Sequence, residues 1–99
     1  MADYWISFRV TDDAKYNKRY NDLVDAINEC ATHGSWDGDT SLVCIRSEYT
    51  IGKIGSALKS TLNSTTDHLV IREIGKDSTR YINEPGDGFL DFFPLAKKL

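Results

Sequence analysis

YWISFRV, residues 4–10, decides the fold. Its even positions, Tyr4, Ile6, Phe8 and Val10, are bulky and apolar or aromatic, whereas Trp5, Ser7 and Arg9 are mixed. Successive side chains of a strand point to opposite faces, so i and i+2 share one. The stretch predicts a strand with one buried face and one partly open face that carries an arginine.

Working outward, Thr11, Asp12 and Asp13 suit a turn and the start of a helix, where acidic groups are favoured. Tyr16, Tyr20, Leu23, Val24, Ile27, Cys30 and Ala31 recur at spacings of three and four, which predicts an amphipathic helix from about Asp13 to His33, with Gly34 as C-cap. Ser35 to Asp37 reads as a short edge strand, Asp37-Gly38-Asp39 as a tight turn, and Thr40 to Ser47 as a second full strand. In that strand Val43 and Ile45 share one side, and Leu42, Cys44 and Arg46 the other. Thr50 can cap a second helix whose apolar face is Ile51, Ile54, Ala57, Leu58 and Leu62. Gly52 and Gly55 weaken that helix by roughly 1 kcal/mol each against alanine and let it lie close to a neighbour. After the polar loop NSTTD, His68 to Gly75 reads as a third full strand, with Leu69 and Ile71 opposed to Val70, Arg72 and Ile74. Residues 76–78 read as a turn, Thr79 to Asn83 as a further strand, and Glu84 to Gly88 as a break. In the tail, Pro94 argues against one uninterrupted helix, so a short turn or strand is expected first and a final helical turn ending on Lys97 and Lys98 after it.

This order predicts an α+β, ferredoxin-like domain: a split β-α-β arrangement with a four-stranded antiparallel sheet, two helices on one face and a C-terminal strand or tail. The strand at residues 4–10 would be central, between those at 40–47 and 68–75. A chain of 99 residues reads as a single domain over 1–99, with a core at about 3–83 and a tail at 84–99. The second sheet face would carry Trp5, Ser7, Arg9, Leu42, Cys44, Arg46, Val70 and Arg72, too apolar a set to stand in water without a partner or the tail. The formal net charge of −3 is not that of a dedicated nucleic-acid binder, although a local basic patch is compatible with it. The sequence has no apolar run approaching the ~20 residues of a membrane span and no signal-peptide pattern, so a cytoplasmic protein without a membrane partner is expected. Cys30 and Cys44 read as buried filler.

WISFRV, RYNDLVDAINECA, Trp36 ahead of TSLVCI, and TIGKIGSALKSTLNSTTDHLVIREI resemble the small ferredoxin-like proteins related to the CRISPR-associated endonuclease of the spacer-acquisition complex. The likeness runs from about Tyr4 to Ile74. It implies a ferredoxin-like fold, a homodimer formed through the sheet face or the C-terminal strand and, in some members, metal-dependent phosphodiester cleavage. In the nuclease members the first strand ends on an aspartate beside an aromatic. Here Arg9 follows Phe8, and an arginine cannot ligate a hard divalent cation.

The first functional expectation is therefore a non-catalytic, dimerising protein with no cofactor. The alternative is a Mg2+-dependent endonuclease acting on RNA or DNA through Asp12 or Asp13, two residues that read primarily as starting the helix. Arg9, Arg46 and Arg72, with Trp5 to stack a base, can present a surface for single-stranded nucleic acid. The competing reading pairs these arginines with acidic groups of a dimer mate or with the tail. Antiparallel strands also place Arg9 at the opposite end from Arg46 and Arg72. Asp37 and Asp39 lack the further oxygen donors of a calcium loop, and His33 and His68 show no metal-type spacing. Neither a phosphate-binding glycine loop nor a nucleophile–histidine pattern is present.

Overall fold

A computed structural model describes residues 1–37, 41–75, 79–81, 86 and 88–99. The elements are β1 (Ala2–Arg9), α1 (Tyr16–Cys30), β2 (Ser35–Asp37), β3 (Leu42–Ser47), α2 (Ile51–Lys59), β4 (His68–Glu73), β5 (Arg80–Tyr81), α3 (Phe89–Phe92) and β6 (Lys97–Lys98). A four-stranded sheet has the order β2-β3-β1-β4 with every neighbouring pair antiparallel, an arrangement compatible with a ferredoxin-like fold. The central place expected for residues 4–10 is the one β1 occupies. The turns expected at residues 38–39 and 76–78 lie outside the described residues, as does most of the break at 84–88.

The alternation in β1 becomes a division of the molecule into two apolar layers. Tyr4, Ile6, Phe8 and Val10 are buried with Ile45 of β3, Leu23, Ile27 and Cys30 of α1, and Ile54 and Leu58 of α2. Leu69 and Ile71 of β4 close the same layer. Each fully buried Ile or Leu here stabilises the fold by about 1.5–3 kcal/mol. Tyr4 keeps its hydroxyl satisfied by donating to the Tyr49 carbonyl at 3.0 Å.

Both helices differ slightly from expectation. α1 begins at Tyr16 because Asp13 makes a turn ahead of it: its carboxylate accepts from Lys15 N–H at 2.9 Å and its carbonyl from Tyr16 N–H at 3.1 Å. At the other end α1 stops at Cys30 with Ala31, not Gly34, as its C-cap, because from His33 onward the chain is tied to β3: His33 N–H donates to the Arg46 carbonyl and Arg46 N–H to the Gly34 carbonyl. Gly34 holds φ +134° in that connection. In α2, Thr50 is the N-cap and its hydroxyl accepts from Lys53 N–H at 3.2 Å. The glycines of α2 are not demanded by close packing. A Cβ at Gly52 would meet nothing within 4 Å, and one at Gly55 would sit in ordinary contact, 3.9 Å from Ile71 Cδ1.

The tail inverts the predicted order. A helical turn, Phe89–Phe92, comes first, and Lys97–Lys98 form a strand that pairs in parallel with β5 in a separate two-stranded sheet. The helical turn is set by its aromatic spacing: Phe89 and Phe92 are buried against Trp36 and Cys44, joined by Trp5, Leu42, Ile74, Tyr81, Phe93 and Ala96. Phe89 meets Trp36 edge-on at 5.5 Å and Tyr81 at 5.4 Å. Pro94 follows the helical turn, and Lys97 N–H and Leu99 N–H then bond to the Thr79 and Tyr81 carbonyls. The tail thus supplies the cover that the second sheet face requires over β2, β3 and part of β1.

Candidate functional site

Strand register sorts the arginines. Asp3 lies opposite Arg46, Arg72 opposite Trp5, and His68 opposite Arg9. Arg46 is engaged within the chain. Its Nε and one terminal nitrogen grip both oxygens of Asp3 at 2.7 and 3.0 Å, and the same terminal nitrogen donates to the Asp91 carbonyl at 3.3 Å. Its guanidinium also lies 5.1 Å from the centre of the Phe92 ring. The Asp3 hydrogen bonds push its pKa up, which fixes its charge in this pairing. Trp5 is half-buried and packs into the aromatic layer of the tail.

Arg9 and Arg72 are exposed, as is His68, and none has a hydrogen-bond or ion-pair partner among the described residues. Val70, between Arg72 and His68 on the same face of β4, is 55% exposed. These four side chains form a strip on the part of the sheet face nearest the β4 edge. From Arg72 to His68 the strip is about 13 Å long at the rise of a strand.

At the C-terminal end of β1 the strip meets a cavity of about 670 Å³ lined by Arg9, Thr11, Asp12, Tyr16, Thr66 and His68, together with Val10. The cavity's walls are the β1–α1 and α2–β4 loops, and a buried carboxylate joins them. Asp67 has a fully buried side chain that accepts from Thr11 N–H at 2.8 Å, Asn63 N–H at 2.9 Å and Arg19 Nε at 2.9 Å. Burial pushes the Asp67 carboxyl up, but these donors outweigh it and hold its pKa below the usual carboxylate range. Asp67 was hidden in what reads as a polar loop, and its partner Arg19 is 48 residues away, so no local pattern announces it.

The two aspartates of the metal alternative part company. Asp13 accepts from Lys15 N–H and, at 3.0 Å, from Arg19, whose bond lowers its pKa. Asp12 is exposed and lines the cavity beside Arg9 and His68. Among the described residues no group of three or more His, Cys, Asp or Glu is placed to hold a metal ion. One carboxylate beside a guanidinium does not fit Mg2+, which wants several oxygen donors. Cys30 and Cys44 are buried, and burial pushes the Cys44 thiol up to about 12, which removes it as a nucleophile near neutral pH.

A second cleft, about 630 Å³, lies at the other end of β1 and is lined by Asp3, Tyr4, Arg46, Glu48, Tyr49 and Glu73 among others. Its arginine is the one already neutralised by Asp3, so it offers an incoming anion less than the Arg9 end does. Among the described residues no helix is long and apolar enough to cross a membrane. No protein-family model and no curated protein matches this chain.

Proposed function

We propose that this chain is a non-catalytic ferredoxin-like domain that contacts single-stranded nucleic acid along the strip formed by Arg9, His68, Val70 and Arg72. The observation that carries the reading is the pair of arginines, Arg9 and Arg72, which among the described residues have no partners and lie on the part of the sheet face that the tail does not cover. Guanidinium forks match phosphate oxygens, and an apolar side chain between them can receive a base. The reading keeps the fold implied by the resemblance to CRISPR-associated endonuclease relatives and leaves out their metal-dependent cleavage. Arg9 stands where the nuclease members carry an aspartate, and Asp13 is held by Arg19.

The test is titration of a labelled single-stranded oligonucleotide at several salt concentrations. Binding should weaken steeply as salt rises and be lost in the Arg9→Ala, Arg72→Ala double variant. Arg46→Ala should reduce stability while leaving that binding largely in place, because Arg46 is spent on Asp3 and the tail. Absence of binding at low salt, or binding indifferent to the double variant, counts against the proposal.

A second part of the proposal is a homodimer through the β4 edge, in place of the C-terminal strand, which here pairs with β5. β4 is six residues long, contains no proline and, among the described residues, has β1 on one side and no strand on the other. Edges of this kind invite pairing with another strand.

A further inference from the structure

The Arg9–His68 corner differs from the rest of the strip. Arg72 and Val70 lie on open sheet, where a polymer can continue in either direction. At Arg9 and His68 the surface becomes concave, bounded by Thr11, Asp12 and Tyr16 on one side and Thr66 on the other. Resting on the single-strand reading above, we infer that this corner takes a phosphomonoester, the terminal phosphate of a strand whose body lies on Val70 and Arg72 or a free phosphate ester.

The donors suit that group. Arg9 offers up to five N–H groups, His68 a ring N–H, and Tyr16 and Thr66 hydroxyls that have no partner among the described residues. The Thr11 hydroxyl is excluded, because it already donates to the Thr66 carbonyl at 2.8 Å. A terminal phosphate carries up to two negative charges and three exposed oxygens. It therefore gains more from clustered donors than an internal diester does. The cavity is also built in advance. Asp67 ties Thr11 of one wall to Asn63 of the other and anchors both through Arg19, so little ordering is needed when the anion arrives.

Asp12 lines the same corner and opposes an anion there. With Asp12→Asn the repulsion goes and phosphate should bind more tightly, by several-fold. A cation site would respond in the opposite sense, since the same change removes its one free carboxylate.

The experiment uses the full chain with four probes: inorganic phosphate, and one oligonucleotide sequence bearing a 5′-phosphate, a 3′-phosphate or hydroxyls at both ends. One phosphorylated form should bind at least tenfold more tightly than the hydroxyl form. That preference should vanish in Arg9→Ala and shrink in His68→Gln, while amide NMR shifts on phosphate addition fall on residues 9–16 and 66–68. Both side chains are exposed and, among the described residues, without partners, so neither change threatens folding. Phosphate shifts that depend on Arg9, with no binding of any oligonucleotide, keep the corner as a small-ester site and remove the single-strand reading. Equal binding of all three oligonucleotides, lost on Arg72→Ala, keeps that reading and overturns the terminal-phosphate inference. Looser phosphate binding in Asp12→Asn overturns it as well.

Discussion

Asp67 shows what one side chain contributes to this molecule. Its side chain is buried, ionised and supplied with donors, and it ties its own loop to Thr11 and Arg19, 56 and 48 residues away. Asp67→Ala strips the partner from two backbone N–H groups and from Arg19, so stability should fall by about 1–3 kcal/mol in urea unfolding. Asp13→Ala, at an exposed carboxylate, should cost far less. The pH dependence follows from the depressed folded-state pKa of Asp67. Its stabilisation is fully present above the ordinary carboxylate value of about 3.9 and is lost as pH falls through the lower folded value. Asp67→Asn should therefore flatten the acid limb of the stability curve, and an unchanged limb would deny the linkage. Other residue-scale features were readable in advance. The exposure of Arg9 follows from its parity in β1, and so does the burial of Ile6 and Phe8. The Arg46–Asp3 grip is not legible in the apolar alternation, which begins at Tyr4 and leaves out Asp3, the residue directly across from Arg46.

Secondary-structure elements were legible where periodicity and chemistry agree. Thr50 before an apolar run at helical spacing marks α2, and the cap bond is present. In the tail, Pro94 argues for an early break, but the three- and four-residue spacing of Phe89, Phe92 and Phe93 carries the helical signal and places the turn before it. Sequence also cannot show which glycines are required. Gly52 is exposed, helical and open to a side chain, so Gly52→Ala should raise stability by about 0.5–1 kcal/mol. Gly88 holds φ +91°, and a Cβ there would come within 3.2 Å of Trp36 Cδ1. Gly88→Ala should lower stability by at least about 1 kcal/mol and loosen the aromatic layer, visible as a red shift of tryptophan emission. Equal effects of the two substitutions would mean that the tail does not seat on Trp36.

At the scale of the whole molecule, the tail and the β4 edge divide the second sheet face between them. The tail covers β2, β3 and part of β1, which leaves uncovered the part that borders the only long edge in the four-stranded sheet among the described residues. A second copy paired antiparallel along β4 would continue the sheet and set two strips side by side on one face. In the proposed dimer, nucleic-acid binding and pairing would be coupled: whatever neutralises the joined strips would favour the paired state. With Arg9 and Arg72 each meeting one phosphate, the salt slope of binding should be about −1.4 for a single copy and about −2.8 for a pair. Sedimentation should show a dimer at micromolar concentration that strengthens when oligonucleotide is added. Val70→Lys places a charge on the edge, the usual protection against strand pairing, and should yield a monomer that still folds. A strict monomer in the unsubstituted protein, with the slope staying at about −1.4 at every protein concentration, would remove the dimer while leaving the single strip intact.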